Sequence, residues 1–528
     1  MTNSAADAAP DPVAMLEQPF GSISALIAAH AALRPDGRAL ADETRTMSYG
    51  ELDREMSAIA ASLARDGVKP GEAIAVCGRN SALYGAIYLG ALRAGVVVAP
   101  MPTSATPDQL AGMIADCGAK IIFLDAEIAV ALDGHSASSD VPRIALDGSG
   151  GDKIGGRAYL DWRMDPDEAA GFVPPERAPS DPFNIIYSSG TTGAPKGIVQ
   201  SWGMRWAHMQ RARLNKHDET AVTIVSTPLC SNTTLVSFFP TLAAGGAVVS
   251  MRKFDARGFL ELAARERATH AMLVPVQYRR IMDVPDFNDF DLSSFRLKAC
   301  TSAPFAAALK ADIVKRWPGD LIEIYGMTEG GGACVLFAHE HPDKLHTVGQ
   351  PGEGHDIRLI GEDGKEVAQG ELGEVVGRSG AIMNGYHGLP EKTRETEWHD
   401  AEGARFIRTG DVGRFDEDGF LILMDRKKDM IISGGFNVYP SDLEAELAKH
   451  EAVAEAAVVG APSEEWGETP VAFVALKPGA KTDGEELRAW VNARLGKIQR
   501  LQEVKIVDAL PRSSIGKVLK RELKDQLA

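Results

Sequence analysis

Up to Tyr325 the chain alternates short apolar runs with stretches of helical spacing, and this alternation limits the fold more than any other feature. Residues 73–77, 96–99 and 120–124 read as buried strands, and residues 52–66, 81–94 and 106–117 as the helices between them. Ser48 followed by Glu51 is the spacing of a capping box at the start of the first of these helices. The same cycle returns after residue 202, with helices 202–213, 234–244, 259–268 and 304–316 and strands 221–227, 247–251, 270–274, 297–301 and 321–325. Repeated strand–helix units predict parallel sheets covered on both faces. From Val348 the pattern changes to short alternating segments, 356–360, 373–378, 406–409 and 420–424, between Gly- and Asp-rich turns. That pattern predicts an antiparallel, β-barrel-like region. The last hundred or so residues suit a small α+β unit. The fold class expected is α/β: two parallel-type sheets plus a barrel-like subdomain, then a small α+β domain. Residues 133–182, rich in Gly, Ser, Asp and Pro, are expected to form a loose connection, and residues 1–20 to be disordered.

A glycine- and hydroxyl-rich stretch, Tyr187-Ser-Ser-Gly-Thr-Thr-Gly-Ala-Pro-Lys-Gly197, follows one predicted strand. Gly190, Gly193 and Gly197 let a backbone bend close to a ligand. Successive N–H groups there can form an anion nest, with Ser188, Ser189, Thr191 and Thr192 adding hydroxyls and Lys196 a charge. This is a grip for a polyphosphate. It is not a Walker A loop, because Lys196 follows Pro195 rather than glycine. Taken alone, it also reads as a flexible surface turn.

With 56 Lys plus Arg against 73 Asp plus Glu, the net charge is −17, which argues against a broad nucleic-acid or anionic-membrane surface. The cysteines at 77, 117, 230, 300 and 334 are scattered and lack Cys-x-x-Cys spacing, as in an intracellular, cytoplasmic protein with reduced thiols. The first twelve residues lack the basic start and apolar core of a signal peptide, and no apolar run is long enough to span a bilayer.

Four further segments carry chemistry, each with an ordinary alternative. Tyr325-Gly326-Met327-Thr328-Glu329 closes a predicted strand, where ligands of α/β sheets sit. It could place an aromatic ring on a purine and a carboxylate on Mg²⁺, or be a plain strand–turn junction. Thr409-Gly410-Asp411 could hold a ribose, or be a common Asp turn. The charged run starting at Asp425-Arg426, followed by Ser433-Gly434-Gly435-Phe436, suits a hinge and flexible loop, or a solvated surface. Gly516-Lys517 could present a lysine to another domain's cleft, or belong to a basic tail. A metal site at His339-Glu340-His341, a G-x-S-x-G hydrolase elbow and a nucleophilic Cys230 find no supporting residues.

Taken in order, these segments resemble the adenylate-forming (AMP-binding) superfamily, in its acyl-CoA synthetase and aryl-CoA ligase branch. The resemblance runs from about Ser22 to Lys520. It implies an ATP-dependent carboxylic acid–CoA ligase: a carboxylate attacks the α-phosphate of ATP, and coenzyme A then displaces AMP. It implies a large N-terminal domain over 1–424, a hinge at 425–426 centred on Asp425, and a small mobile domain over 427–528. The loop with Ser188, Ser189, Gly190, Thr191, Thr192, Gly193 and Lys196 would hold phosphates, with Thr192 and Glu329 seating Mg²⁺. Tyr325, Gly326, Met327 and Thr328, with Ser302, Ala303 and Pro304, would surround adenine. Asp411 and Arg426 would hold the ribose, and Lys517 would act in adenylation with Thr192 and Glu329. Ser433, Gly434, Gly435 and Phe436 would line the thiol tunnel. The partners implied are a small carboxylic acid, ATP and CoA, with a homodimer among the assemblies allowed. A stand-alone enzyme loading a carrier-protein phosphopantetheine and a non-catalytic nucleotide-binding homologue are the alternatives.

Departures from the family pattern fall around the acyl site. Trp202 stands where many relatives have histidine, Cys230-Ser231-Asn232 where many have Phe-His, Thr301 and Ile324 where glycine is common, and Lys520 where arginine is frequent. The acyl lining read from these positions is Trp202, Trp206, Cys230, Asn232, Val236, Phe238, Phe239, Ser302 and Ile324, with no acidic or basic residue. A neutral, partly aromatic pocket predicts an uncharged aryl, arylalkanoic, alicyclic or medium-chain monocarboxylic acid. Ordinary core packing is the competing account of each lining residue.

Overall fold

The computed structural model describes residues 10–135, 140–146, 148, 150–188, 196–426, 429–433, 436–463, 466–496, 499–513 and 516–527. Two large sheets carry most of the chain, as the strand–helix alternation predicts. The first has nine strands in the spatial order Gln350–Pro351, Cys334–Phe337, Asp320–Tyr325, Leu297–Cys300, His270–Leu273, Val222–Val225, Ala247–Ser250, Arg38–Ala41 and Thr46–Ser48. The run from Asp320–Tyr325 to Arg38–Ala41 is parallel, and antiparallel strands close both edges. The second has seven strands, ordered Gly385–Tyr386, Lys196–Ser201, Pro182–Ser188, Val97–Pro100, Ala73–Cys77, Ile122–Leu124 and Arg143–Ala145. A third sheet of five antiparallel strands uses Asp356–Ile360, Gly373–Arg378, Arg405–Phe415, Glu397–His399 and Leu421–Arg426. The fourth comprises Phe436–Val438, Ile431–Ser433, Gly467–Leu476, Val453–Ser463 and Glu503–Val507.

The largest core cluster combines residues of both large sheets with the helices Ile23–Leu33, Tyr49–Arg65, Ala82–Arg93 and Asn232–Ala243. Ala82–Arg93 is buried along its whole length except at Leu83. A helix apolar all round needs cover on every side, which a position inside the core supplies. Its buried Arg93 is compensated by Asp53 at 2.5 Å and by the hydroxyls of Ser24 and Ser57. Helix Asn232–Ala243 is buried everywhere except at Asn232 and Val236. These two are four residues apart and so share one face.

Helix starts follow the sequence closely. Ser48 and Glu51 form the expected capping box on Tyr49–Arg65, and Ser81 and Thr106 cap the next two helices. Three expectations are corrected. Disorder over 1–20 does not hold for residues 10–20, where Pro12–Leu16 is a helix capped by Asp11. That segment is tied down by Trp206 Nε1 donating to the Gln18 carbonyl at 3.0 Å and by Gln210 Nε2 donating to the Leu16 carbonyl at 3.1 Å. Residues 133–182 are not merely a loose connection. They contribute strand Arg143–Ala145 and helix Tyr159–Trp162, and Trp162 is wholly buried. Two aromatic anchors outweigh the turn-forming residues around them. Finally, Lys196 and Gly197, read from the sequence as loop residues, are not. They open a strand, Lys196–Ser201, antiparallel to Pro182–Ser188.

Candidate active site at the carboxyl edge of the nine-stranded sheet

Strands Leu297–Cys300 and Asp320–Tyr325 run parallel and end together, so the segments after them meet at one sheet edge. Thr301 Oγ1 donates to the Ile324 carbonyl at 2.7 Å and joins the two ends. Ser302 follows with φ +83, a left-handed conformation uncommon for a residue with a Cβ. Its hydroxyl shares a 2.6 Å hydrogen bond with Thr233 Oγ1 in the first turn of helix Asn232–Ala243. Ala303 and Pro304 continue from Ser302, and Pro304 is exposed.

Two tyrosine–carboxylate pairs frame the edge. The Tyr325 hydroxyl donates to Asp411 Oδ2 at 2.8 Å, and the Tyr386 hydroxyl donates to Glu329 Oε1 at 2.8 Å. Burial and the adjoining carboxylate push both phenols above their ordinary range, so both remain protonated donors. Asp411 sits just past Gly410, which has φ +74, and its N–H is held by Thr409 Oγ1 at 3.0 Å. Glu329 is fixed a second time, through its carbonyl, by the Met383 N–H at 2.9 Å. Lys196 places its ammonium 5.1 Å from the Tyr386 ring centroid. Glu329 and Lys196 are thus brought to one ring although they are far apart in the chain. Tyr386 is one residue that sequence reasoning missed. Its two-residue strand, Gly385–Tyr386, is too short to show periodicity.

An amide network supports the segment Gly326-Met327-Thr328. Gln200 Nε2 donates to the Thr328 carbonyl at 2.7 Å and to Asn232 Oδ1 at 3.3 Å. Asn184 Nδ2 donates to Gln200 Oε1 at 2.9 Å, and Arg205 Nε donates to Asn184 Oδ1 at 3.0 Å. Arg205 also donates to Gln200 Oε1. Its guanidinium is wholly buried, and Nη1 finds no hydrogen-bond partner among the described residues. Burial lowers its pKa to about 10, so it stays charged at neutral pH. A basic residue therefore lies on the same helix as Trp202, with Cζ 5.9 Å from the Phe239 ring centroid, in a region the sequence reading took as uncharged.

The carboxy-terminal loop carrying Lys517 meets this edge. Gly516 has φ +77, and a Cβ there would lie 2.6 Å from Val276 Cγ1 and 3.7 Å from Val274 Cγ2. Val274 and Val276 directly follow strand His270–Leu273 of the nine-stranded sheet. The loop is closed by the Lys517 N–H donating to Ser513 Oγ at 3.2 Å and by the Ser513 N–H donating to the Lys517 carbonyl at 2.8 Å. Arg512 adds a bond to the Gly516 carbonyl at 2.6 Å and a 2.8 Å ion pair with Glu455.

The other candidates are placed as follows. Ser188 ends its strand opposite Lys196. Ser189, Gly190, Thr191, Thr192 and Gly193 lie outside the described residues, as do Gly434 and Gly435. Asp425 and Arg426 end strand Leu421–Arg426, with the Arg426 backbone opposite Asp411. Ser433 is buried and Phe436 is 59% exposed, at facing ends of two paired strands. The acyl candidates divide. Trp202 and Phe239 are buried in the main core and pack against Phe183 at 4.9 and 5.2 Å between ring centroids. Burial pushes the Cys230 thiol up to about 12, which leaves it protonated. Val236 and Ile324 instead line a small cavity against the nine-stranded sheet, and Asn232 accepts from Gln200.

The residues fit Mg²⁺ modestly. This ion commonly uses one or two carboxylates plus substrate phosphates. The Glu329 carboxylate is fixed in direction, and no cluster of three or more His, Cys, Asp or Glu suited to a metal occurs among the described residues. No described helix is long and apolar enough to cross a membrane.

Comparison with known proteins identifies the family. The sequence profile of the AMP-binding enzyme family matches residues 27–387, and that of the AMP-binding enzyme C-terminal domain matches residues 442–517. The chain is 31% identical to the fatty acid–[acyl-carrier-protein] ligase ScoC of Streptomyces coeruleorubidus, across 94% of this chain and 95% of that protein. It is 32% identical to a feruloyl-CoA synthase of Amycolatopsis sp, across 94% of this chain and 96% of that protein. The crystal structure of ATP-bound MatB from Rhodopseudomonas palustris superposes with a TM-score of 0.82 at 29% identity, covering 94% of this chain and 98% of that one. With the family profile spanning most of the chain and relatives above 30% identity along nearly its whole length, this protein belongs to the AMP-binding enzyme family, as an acid–thiol ligase of its adenylate-forming acyl-CoA synthetase branch.

Proposed function

We propose that the protein joins a carboxylic acid to coenzyme A through an acyl-adenylate, releasing AMP and pyrophosphate. The observation that carries this reading is the position of the Lys517 loop. It packs on Val274 and Val276, at the same sheet edge as Tyr325, Asp411 and Glu329. A carboxylate is a poor electrophile, and converting its oxygen to a mixed anhydride with AMP supplies a leaving group. Charge then grows on the phosphate oxygens, and fixed donors and cations aimed there lower the barrier.

In this reading Tyr325, with Gly326, Met327, Ser302, Ala303 and Pro304, borders adenine, and the Tyr325–Asp411 bond holds the ring in place. Asp411 and Arg426 take the ribose. Lys196, with Ser188, Ser189, Gly190, Thr191, Thr192 and Gly193, holds the β- and γ-phosphates. Glu329 and Thr192 would hold Mg²⁺, which screens phosphate charge when bound. Lys517 contacts the acid and the α-phosphate during adenylation. The small domain, 427–528, then turns about Asp425, so that Ser433, Gly434, Gly435 and Phe436 meet the thiol. The acid is a neutral aryl, arylalkanoic, alicyclic or medium-chain monocarboxylic acid. Val236 and Ile324, both apolar, support that class. The resemblance to a fatty acid–[acyl-carrier-protein] ligase favours one alternative acceptor, a carrier-protein phosphopantetheine.

The test is carboxylate-dependent ATP–pyrophosphate exchange over a broad acid panel, followed by thioester detection with free CoA and with carrier protein. Exchange together with CoA thioester is the expected result. Exchange with transfer only to carrier protein would move the acceptor, and no exchange with any acid would overturn the reading.

A further inference from the structure

An apolar row of side chains runs from Ile324 along the nine-stranded sheet, a track whose far end is polar and unused by the proposed reaction. A cavity of about 20 Å³, room for about one water-sized group, lies against the nine-stranded sheet, lined by Val236, Ile324, Ile322, Ala299, His270 and His217 among others. Ile322 and Ile324 are two apart on one strand and therefore share a sheet face. The strand register sets His270 level with Leu297 and Asp320. Ile324, the residue before Tyr325, is four residues further along that direction. At a strand rise of about 3.3 Å per residue, the track from Ile324 to His270 is roughly 13 Å long.

His217 closes the far end and is held there. Its ring stacks on His270 with centroids 4.1 Å apart and planes 16° apart. His270 has a fixed tautomer: Nε2 must donate to the Asn215 carbonyl at 2.9 Å, so Nδ1 accepts from the Thr269 hydroxyl at 2.7 Å. Lys216, just before His217, takes a left-handed φ of +59, a strained turn for a residue with a Cβ. The His217 imidazole is buried, yet neither ring nitrogen has a hydrogen-bond partner among the described residues. Buried polar atoms are nearly always satisfied, and an exception calls for a functional account. Burial, together with His270, holds this imidazole well below its usual pKa, so it is neutral, with one donor and one acceptor. The nearby charges are already committed, since Arg296 Nη1 binds both oxygens of Asp218 at 2.9 Å. A carboxylate at the track's end would thus be a buried unpaired anion, whereas a neutral oxygen would be satisfied.

We propose that His217 is the specificity-determining residue at the far end of the acyl site, selecting acids whose apolar body ends in a keto or hydroxyl group. The proposal rests on the ligase reading above and narrows its substrate class. The cavity as it stands takes only about one water-sized group, so an acid reaches His217 only if lining side chains such as Ile324 and Met272 shift, and methionine adapts readily.

The experiment compares matched acids, medium-chain and alicyclic keto or hydroxy acids against their methylene analogues, by pyrophosphate exchange and CoA-thioester formation. Wild type is expected to favour the oxygenated member by roughly ten- to a hundredfold in kcat/KM. His217→Leu should lose most of that preference by gaining on the methylene analogue, with KM for ATP unchanged. His217→Gln, which keeps a donor and an acceptor, should retain much of it. The wild-type comparison needs no variant, and His217→Gln keeps the test readable if His217→Leu fails to fold. Exchange without discrimination in wild type, or full discrimination in folded His217→Leu, overturns this inference alone. Absence of exchange with every acid overturns the ligase reading and this inference with it.

Discussion

Tyr386 and Lys517 show how single groups divide the proposed work. Tyr386 fixes the Glu329 carboxylate by one 2.8 Å hydrogen bond and lies 5.1 Å from the Lys196 ammonium. Tyr386→Phe removes only that donor. Adenylation should fall roughly ten- to a hundredfold, the usual range for a lost bond to a charged group. The Mg²⁺ concentration for half-maximal exchange should rise as well. An unchanged Mg²⁺ titration would separate Glu329 from the metal. Lys517→Ala should cost adenylation about a hundred- to a thousandfold, while conversion of synthetic acyl-AMP to acyl-CoA persists. Equal loss in both half-reactions would contradict a role confined to the first. Lys517 and Glu329 are legible in the sequence because they stand in ordered motifs. Tyr386, Gln200 and His217 are not, because each matters only through a partner distant in the chain, respectively Glu329, Thr328 and His270.

Elements were readable where local chemistry decides them. Ser48 with Glu51, Ser81 and Thr106 each mark a helix start by satisfying N–H groups of the first turn, which needs no tertiary contact. Strand Lys196–Ser201 was hidden because its pairing with Pro182–Ser188 and Gly385–Tyr386 is tertiary, and Gly197 reads as a turn residue. Helix Tyr159–Trp162 was hidden because four residues carry no period. The Lys517 loop is the element on which the proposed chemistry depends, and Gly516 lets it dock. Gly516→Ala would strain a φ of +77 and press a methyl within 2.6 Å of Val276 Cγ1. A left-handed alanine costs about 1–2 kcal/mol, and the contact adds to that. The expected result is impaired adenylation with the acyl-AMP to thioester step retained. Val276→Ala should restore part of the loss, since it removes the opposing methyl. Failure of any rescue would show that backbone strain, not the contact, dominates.

Across the whole molecule, buried histidines tie stability to acidity. Burial lowers His270 to about 4, and His208 and His217 well below the ordinary histidine value. Once unfolded, these groups titrate near 6.5. Below that value the unfolded chain therefore binds protons that the folded chain refuses. Stability is full above pH 6.5 and falls as the pH drops from there toward 4. Since a pKa unit corresponds to about 1.4 kcal/mol, His270 alone contributes on the order of 3 kcal/mol to that loss. Urea melts at about pH 7.5, above this window, and about pH 5, within it, should show a lower midpoint in acid. His270→Gln should shrink the difference, and a midpoint independent of pH in wild type would refute the assignment.

The strand order of the nine-stranded sheet has a consequence for how the chain is made. Arg38–Ala41 pairs in parallel with Ala247–Ser250, Leu40 lying opposite Val248, while the segments from Ala73 to Ser201 go into the other large sheet. A ribosome adding about 5–20 residues per second delivers that partner roughly 10–40 s after Leu40 emerges. During that interval the inner side of Arg38–Ala41 has no parallel neighbour from its own sheet, and an unpaired strand is a template for mispairing. The seven-stranded sheet can close most of its ladder earlier, because its parallel strands end at Ser188. The two sheets are therefore out of step during synthesis. Moving residues 10–48 to the carboxy terminus by circular permutation would shift that wait, and the yield of soluble protein made without chaperones would report whether the early strand is a hazard.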